Sequence, residues 1–373
     1  MKYKILTILG TRPEIIRLSC IIRSLDKNFN HKIVNTNQNF SNMLNKNFFK
    51  DLKITKPVYS MKNEKKNSPI AFIAKSLVFV DEILEKEKPD AVIILGDTNS
   101  SLTSICAKRK KIPIFHLEAG NRCFDQRVPE EINRKIVDHL SDINLTYSSY
   151  AESNLINEGL KRDFVIKVGS PLYEVYNYYN SDINKSEIIN QLKIEKNNYI
   201  LASIHREENV DDKNNLENIF NSINEISKKN KLKVIFSTHP RTKEKLKKIS
   251  NNYKFIKFCE PFGFFDYAKL LKHSTLVISD SGSITEETSL LNIRSVNLRS
   301  TNERQEGMEK GICIMSGLKK REIVNSIEVA MNKKIDHCDF GHLDYRERYV
   351  SEKITNIIQS YIPYVNKNVW LKN

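Results

Sequence analysis

The feature that most constrains this chain is a repeated alternation of short apolar runs with longer segments of helical periodicity. A run such as Ala91-Val92-Ile93-Ile94-Leu95 has no polar/apolar alternation, so it suits a strand covered on both faces. Strands of this kind joined by helices form parallel sheets, and ligands bind at the carboxyl ends of those strands. The pattern predicts strands near 4–9, 32–36, 91–95, 113–116, 143–146 and 165–168, with helices over 15–25, 69–87, 100–109, 130–140 and 150–158. It then restarts, with strands near 199–203, 233–237, 253–258, 276–279 and 295–298. Two such series predict an α/β chain of two Rossmann-like, doubly wound domains facing a cleft. Gly169 and Pro171 interrupt the pattern, so the domains are expected over 1–170 and 171–349. A C-terminal helix within 350–373 is expected to pack back on the first domain.

With 373 residues the chain is long enough for two cores. No apolar run approaches the ~20 residues that span a bilayer, so no membrane insertion is expected. The apolar N-terminal stretch passes straight into Thr11-Arg12-Pro13-Glu14 and reads as a first strand, not a signal peptide. Six cysteines (20, 106, 123, 259, 313 and 338) lack paired spacing, which fits a reducing cytoplasm. The formal charge of +15 is spread over Asn/Lys-rich stretches such as Lys228-Lys229-Asn230-Lys231 and does not form the stripe of a nucleic-acid binder. No two of the eleven glycines are two residues apart, so GxGxxG is absent, and GxxxxGK[ST] and HExxH are absent too. No redox cofactor or metal is therefore expected.

Three acids fall where a parallel sheet places chemistry. Asp97 follows the run ending at Leu95, Glu118 ends Ile112-Pro113-Ile114-Phe115-His116-Leu117, and Glu130 opens a helical stretch. Each alone reads as a helix cap or a solvated first-turn acid; together, with His116 and Arg134 interleaved, they form a candidate acid/base cluster. Gly10-Thr11-Arg12-Pro13-Glu14 joins strand to helix, where a helix start with Arg12 and Arg17 near it can hold a phosphate. Asp280-Ser281-Gly282-Ser283 makes a second such turn, with Glu287 one turn on to receive ribose hydroxyls; a plain Ser-rich helix cap is the competing reading. His205 and Arg206 follow the first strand of the second series, and His239 and Arg241 repeat the arrangement on the next. Histidine titrates near neutrality and can protonate a departing phosphate.

Six segments occur here in the order seen in non-hydrolysing UDP-N-acetylglucosamine 2-epimerases, and the chain resembles that family over essentially its whole length. They are Gly10-Thr11-Arg12-Pro13-Glu14, Gly96-Asp97-Thr98, Glu118-Ala119-Gly120, Pro129-Glu130-Glu131-x-Asn133-Arg134, His205-Arg206-x-Glu208 and Asp280-Ser281-Gly282. The stretches 12–19, 120–129 and Glu303-Arg304-x-Glu306-Gly307-Met308-Glu309 look like the UDP-N-acetyl-L-fucosamine synthase branch, which inverts C2 of a UDP-2-acetamido-2,6-dideoxy-L-hexose for capsule or O-antigen precursors. The resemblance implies a glycosyltransferase-B-type fold, a homodimer, a UDP-sugar substrate and no cofactor. It makes Asp97, Glu118 and Glu130 the catalytic acids and His205 the partner of UDP. Arg12, Arg17, Ser281, Ser283 and Glu287 would contact the nucleotide, Tyr267 would stack on uracil, and Arg134, Arg206, Gly282 and Arg304 would complete the set. Two departures stand out. Ser283 replaces the second glycine of the nucleotide loop, and Asn37 lies where relatives have the glycine of Thr-Gly-Gln, within Asn35-Thr36-Asn37-Gln38-Asn39-Phe40. Plain UDP-N-acetylglucosamine 2-epimerase is the nearest rival function. A glycosyltransferase of the same fold and a basic nucleic-acid-binding protein are more distant ones.

Overall fold

The computed structural model describes residues 2–38, 48–62, 68–246, 253–332 and 343–372; Asn39, Phe40 and Cys338 lie outside these. The chain divides into two compact units, Met1–Tyr178 with Leu343–Asn373, and Tyr179–His342. The division falls after Tyr178, beyond the Gly169–Pro171 break, because the first unit also keeps the helix Leu172–Tyr178, which packs on α1 (Arg12–Asn28).

The first unit holds a seven-stranded, wholly parallel sheet. Its strands are β1 (Lys4–Leu9), β2 (Asn30–Asn35), β3 (Tyr59–Ser60), β4 (Ala91–Leu95), β5 (Ile114–Ala119), β6 (Ile143–Thr146) and β7 (Val165–Lys167), in the order β3-β2-β1-β4-β5-β6-β7. The second holds six parallel strands, β8 (Tyr199–Ser203), β9 (Lys233–Ser237), β10 (Ile256–Cys259), β11 (Leu276–Ser279), β12 (Ser295–Leu298) and β13 (Cys313–Ser316), in the order β10-β9-β8-β11-β12-β13. Both are Rossmann-like sheets flanked by helices, the glycosyltransferase-B-type pair. In each the strand order reverses once, between β1 and β4 and between β8 and β11. Crossovers leave a sheet to opposite sides at such a point, which opens a crevice at the carboxyl ends.

Local sequence explains the elements. All five residues of β4 are buried, as a central parallel strand requires. Helix α1 buries Ile15, Leu18, Ile21, Ile22 and Leu25 along one stripe, and Pro13 fits its first turn, where no intrahelical N–H bond is lost. Two strands go beyond the expectation: β3 has only two residues and no apolar run, and β13, at the sheet edge, follows the short run Ile312-Cys313-Ile314-Met315, which the expected series did not extend to include. At Asn37 the backbone takes φ 52°, the left-handed conformation that favours glycine, and the Asn37 N–H is tied back to Asn35 Oδ1 at 2.8 Å. Asparagine tolerates that region, so the departure at this position preserves the turn.

The helix over Val350–Asn368 buries Val350, Ile354, Ile358, Ile362 and Val365 and packs on α1. Ser24 and Thr355 hydroxyls meet at 2.7 Å across that contact, and Glu174 accepts from the Ser351 N–H at 2.9 Å. Asp344 anchors the chain's return, accepting from Ser149 N at 3.0 Å and Lys167 Nζ at 2.9 Å. Ile358 is wholly buried, and Ile358→Ala is expected to cost about 2–5 kcal/mol, the range for large-to-small core changes. Urea denaturation measures it; a loss below ~1 kcal/mol would show that this helix does not close the first core.

Candidate active site

At the carboxyl edge of the first sheet, the Gly96 N–H donates to the Leu117 carbonyl at 2.9 Å, so β4 and β5 release Asp97 and Glu118 side by side. Glu118 Oε2 lies 3.6 Å from where a Cβ on Gly96 would be. The β5–β6 register shifts between Leu117 and Ala119, and Glu118 has φ 63°. A non-glycine residue held left-handed in a bulge is strained, and such strain collects where a side chain must be aimed.

Asp97 is held by Arg134, whose Nε and Nη2 both donate to Oδ2, at 2.9 and 2.6 Å. The same guanidinium donates through Nη1 to Glu131 at 2.9 Å. Arg134 is thus the buried partner of two acids, Asp97 and Glu131. The Glu131 carboxylate also accepts from the Cys123 and Phe124 N–H groups, both at 3.1 Å, and so fixes the loop after β5. Glu130 is exposed in the first turn of α2 (Pro129–Leu140). Beneath the acids lies a buried ion-pair chain. His116 Nδ1 is 2.9 Å from Asp138, Arg122 Nη1 donates to Asp138 at 2.7 Å, and Arg122 grips Glu158 with two further bonds at 2.7 and 2.6 Å. Helix α2 therefore buries Glu131, Arg134 and Asp138 while Ile132 and Ile136 stay 50% and 39% exposed.

The Gly10–Glu14 turn differs from expectation. The N–H groups of Gly10 and Thr11 both donate to Glu14 Oε2, at 2.7 and 2.6 Å, and Thr98 donates to the other oxygen at 2.9 Å. Those amides are satisfied by the chain's own carboxylate and do not form the phosphate cradle that the turn suggested. Burial pushes the Glu14 carboxyl up to about 6 despite these donors. Gly10 is required by crowding: a Cβ there would stand 2.3 Å from the hydroxyls of Ser100 and Thr36. The half-buried Arg12 guanidinium lies 5.9 Å over the Phe48 ring, and the buried Arg17 lies 5.9 Å over Tyr147.

In the second unit, Asp280 is wholly buried beyond the end of β11. It accepts from His205 N at 3.0 Å, Arg206 N at 2.8 Å and Asn209 Nδ2 at 3.0 Å, and His205 Nδ1 lies 3.1 Å from it. Burial alone would raise this carboxyl, but His205 and the backbone and amide donors hold it down at about 2. Arg206 Nε donates to the Asp280 carbonyl at 2.9 Å. The His239 ring is 5.7 Å from the His205 ring, whereas Arg241 is engaged by Glu207 at 2.7 Å and Asp211 at 3.3 Å.

Ser281 and Ser283 hydroxyls meet at 3.0 Å, and Ser283 makes no side-chain cap to the helix over Ile284–Leu291. A Cβ on Gly282 would stand 2.3 Å from Glu303 Oε1, so only glycine lets that carboxylate, paired with Arg299 at 2.7 Å, close under the loop. Arg304 is buried with its Nη2 3.4 Å from Glu286, which makes it an internal ion-pair partner. The Tyr267 hydroxyl is pushed well up, by burial first and by the charge of Glu287 second, which brings those two expected nucleotide residues together. Glu14, Glu131, Asp138, Arg122, Asp280 and Glu303 were not among the candidates. Five of them lie within the segments that carry the resemblance, with no role assigned to them there, and the spacing of 131, 134 and 138 on one helix face signals Asp138 as well. Among the described residues no three His, Cys, Asp or Glu side chains are placed to hold a metal ion, and no helix is long and apolar enough to cross a membrane.

A family profile described as UDP-N-acetylglucosamine 2-epimerase matches residues 23–359. A protein of that name from Methanocaldococcus jannaschii is 38% identical over 360 residues, covering 93% of this chain and 98% of its own. The solved structure of UDP-N-acetylglucosamine 2-epimerase from Rickettsia bellii is similar over 100% of both chains, with 44% identity and a TM-score of 0.92. The M. jannaschii UDP-GlcNAc 2-epimerase, solved in complex with UDP-GlcNAc and UDP, has a TM-score of 0.87 and 36% identity over 95% of this chain and 99% of that one.

Asp280 also sets a pH dependence. Its folded-state pKa is depressed, so its stabilisation is present above its ordinary pKa of 3.8 and is lost as pH falls toward about 2. The full effect is on the order of 2 kcal/mol. Urea midpoints measured from pH 5 down to 3 are expected to fall less steeply in Asp280→Asn than in the unaltered protein; parallel curves would show that Asp280 is not held ionised.

Proposed function

The chain belongs to the UDP-N-acetylglucosamine 2-epimerase family and is a non-hydrolysing UDP-sugar 2-epimerase, and from that premise we propose that it interconverts UDP-N-acetylglucosamine and UDP-N-acetylmannosamine. The observation that carries the chemistry is the pair of acids released side by side, Asp97 gripped by Arg134 and Glu118 aimed by a strained bulge. The choice of sugar rests on the relatives described above, which carry the N-acetylglucosamine name. None of these three carries the L-fucosamine name, so they favour the glucosamine substrate over the branch suggested by residues 12–19, 120–129 and 303–309.

The C2 proton of an N-acetyl sugar has no adjacent carbonyl, so a free C2 carbanion is too costly. Breaking the C1–O bond to UDP as a base takes the C2 proton avoids that charge and leaves a C1=C2 double bond, a 2-acetamidoglycal. UDP then re-forms the C1–O bond while a proton is delivered to the opposite face of C2. The reading gives the C2 proton transfers to Asp97, Glu118 and Glu130. It gives the departing diphosphate to His205, whose ring is oriented by Asp280 through Nδ1, with the Ser281–Ser283 loop beside it. Arg12, Arg17 and Glu287 are assigned to the nucleotide. The two sets of residues lie in different units.

Asp97→Asn and Glu118→Gln change only the titrating group, and each is expected to cut turnover at least ~100-fold. UDP binding by calorimetry should stay nearly intact; wild-type turnover in both variants would return these acids to a capping role. Turnover of UDP-N-acetylglucosamine in deuterated water, without any acceptor, should place deuterium at C2 of UDP-N-acetylmannosamine. Product with no solvent deuterium would refute elimination and re-addition. Isomerisation of a UDP-2-acetamido-2,6-dideoxy-L-hexose with UDP-N-acetylglucosamine left untouched would instead restore the L-fucosamine reading. A strict need for a sugar acceptor would point to a glycosyltransferase.

A further inference from the structure

His116 lies on β5 two residues before Glu118 and is wholly buried. Its Nε2 is 2.9 Å from the Gly96 carbonyl, and its Nδ1 is 2.9 Å from Asp138 Oδ1. A carbonyl oxygen only accepts, so Nε2 must carry a proton. Asp138 accepts from Arg122 Nη1 at 2.7 Å and from the Gly120 N–H at 3.2 Å, so its oxygens already serve as acceptors. His116 Nδ1 and Asp138 Oδ1 are close but not aligned as a hydrogen bond, so the contact is an ion pair: a bare lone pair 2.9 Å from a carboxylate is repelled and a protonated ring is attracted. A carbonyl acceptor at Nε2 and a carboxylate beside Nδ1 together select the imidazolium.

We propose that His116 is a positioning residue for the epimerisation, a permanently protonated imidazolium that pins the Gly96–Asp97 turn and holds positive charge under Asp97 and Glu118. The neighbouring charges support it. Burial alone would lower the His116 pKa, but the hydrogen bond and charge of Asp138, the Gly96 carbonyl and the charge of Asp97 outweigh it and raise it. The groups facing the ring are accounted for element by element. Asp138 comes from α2, and Arg122 stands behind it from the loop after β5. Gly96 and Asp97 come from the end of β4, with Arg134 on the far side of Asp97. Asn144, in register with His116 on β6, donates to the Asp138 carbonyl at 2.9 Å. Asp97 keeps Arg134 as its partner in hydrogen bonding, so His116 acts on it through the backbone of residue 96 and through space. Glutamine at 116 could still reach the Gly96 carbonyl but would bring no charge.

The inference rests on the assignment of Asp97 and Glu118 to the chemistry, and two measurements separate its failure from failure of that assignment. The first uses the whole protein labelled with ¹⁵N-histidine and no substrate. Both ring nitrogens of His116, assigned in the unaltered protein by added ¹³C labelling that links each histidine ring to its own backbone N–H, should stay in the protonated range from pH 6 to 8. A neutral ring with one bare nitrogen at pH 7.5 would overturn the proposal whatever the enzyme's activity. The second is steady-state kinetics of His116→Gln. Turnover should fall about 10- to 100-fold, the scale of a displaced acting group, while KM changes less than ~3-fold. Without the cation, ionised acids are harder to form, so the acid limb of the turnover profile should move to higher pH. Unchanged turnover and an unmoved limb in a folded variant would overturn the proposal, and if the variant does not fold the spectroscopic result decides. Wild-type protein without epimerase activity would remove the kinetic premise but leave the protonation state of His116 measurable.

Discussion

The parallel register of the two sheets is the constraint on which the rest depends. Parallel strands all end at one edge, so whatever follows each strand is delivered to the same side. In the first sheet that edge receives Gly10 from β1, Gly96 and Asp97 from β4, and Glu118 from β5. In the second it receives His205 after β8 and Asp280 after β11, adjacent strands that flank the reversal in strand order. The chemistry is thus placed by backbone pairing before any side chain is chosen.

The same edge carries many charges out of water, and nearly all of them are answered in pairs. Arg122, Asp138 and His116 are wholly buried together, and Arg134 bridges Asp97 and Glu131. Buried ion pairs are poor sources of net stability, because desolvation offsets most of their attraction. What they supply is direction: each partner removes one choice of rotamer or protonation from the next. The left-handed backbone at Glu118 belongs to the same trade, since local strain is tolerated where surrounding contacts over-determine the geometry.

The sequence made the architecture readable where burial is two-sided. Ala91–Leu95, Tyr199–Ser203 and Leu276–Ser279 are apolar or small throughout because helices cover both their faces, and the structure has strands at those residues. Strand β3, with two residues, lacked that signal, and β13 carried it over four residues at the sheet edge with its inner two only partly covered or exposed. Helix α2 misleads in a different way, since its charged face is buried and Ile132 and Ile136 face outward, the reverse of the usual amphipathic rule. Glu14 shows a third kind of limit. An anion-binding turn and an internally capped helix start present the same donors, and only the folded chain shows that the anion is its own carboxylate. The ion pairs at and beneath the acids join residues 16–37 positions apart in the chain, a separation that periodicity cannot connect.

The return of the C-terminal helix to the first unit has a consequence for biosynthesis. The second unit is one uninterrupted stretch, Tyr179–His342, whereas the first is completed only by Leu343–Asn373. Domains fold as units while a ribosome delivers the chain from its N-terminus. Residues 1–178 must therefore wait with the α1 surface uncovered until the helix over Val350–Asn368 arrives, and the unit Tyr179–His342, made between them, can finish before it. During that interval the surface that Ile354, Ile358 and Ile362 will cover stays in contact with water.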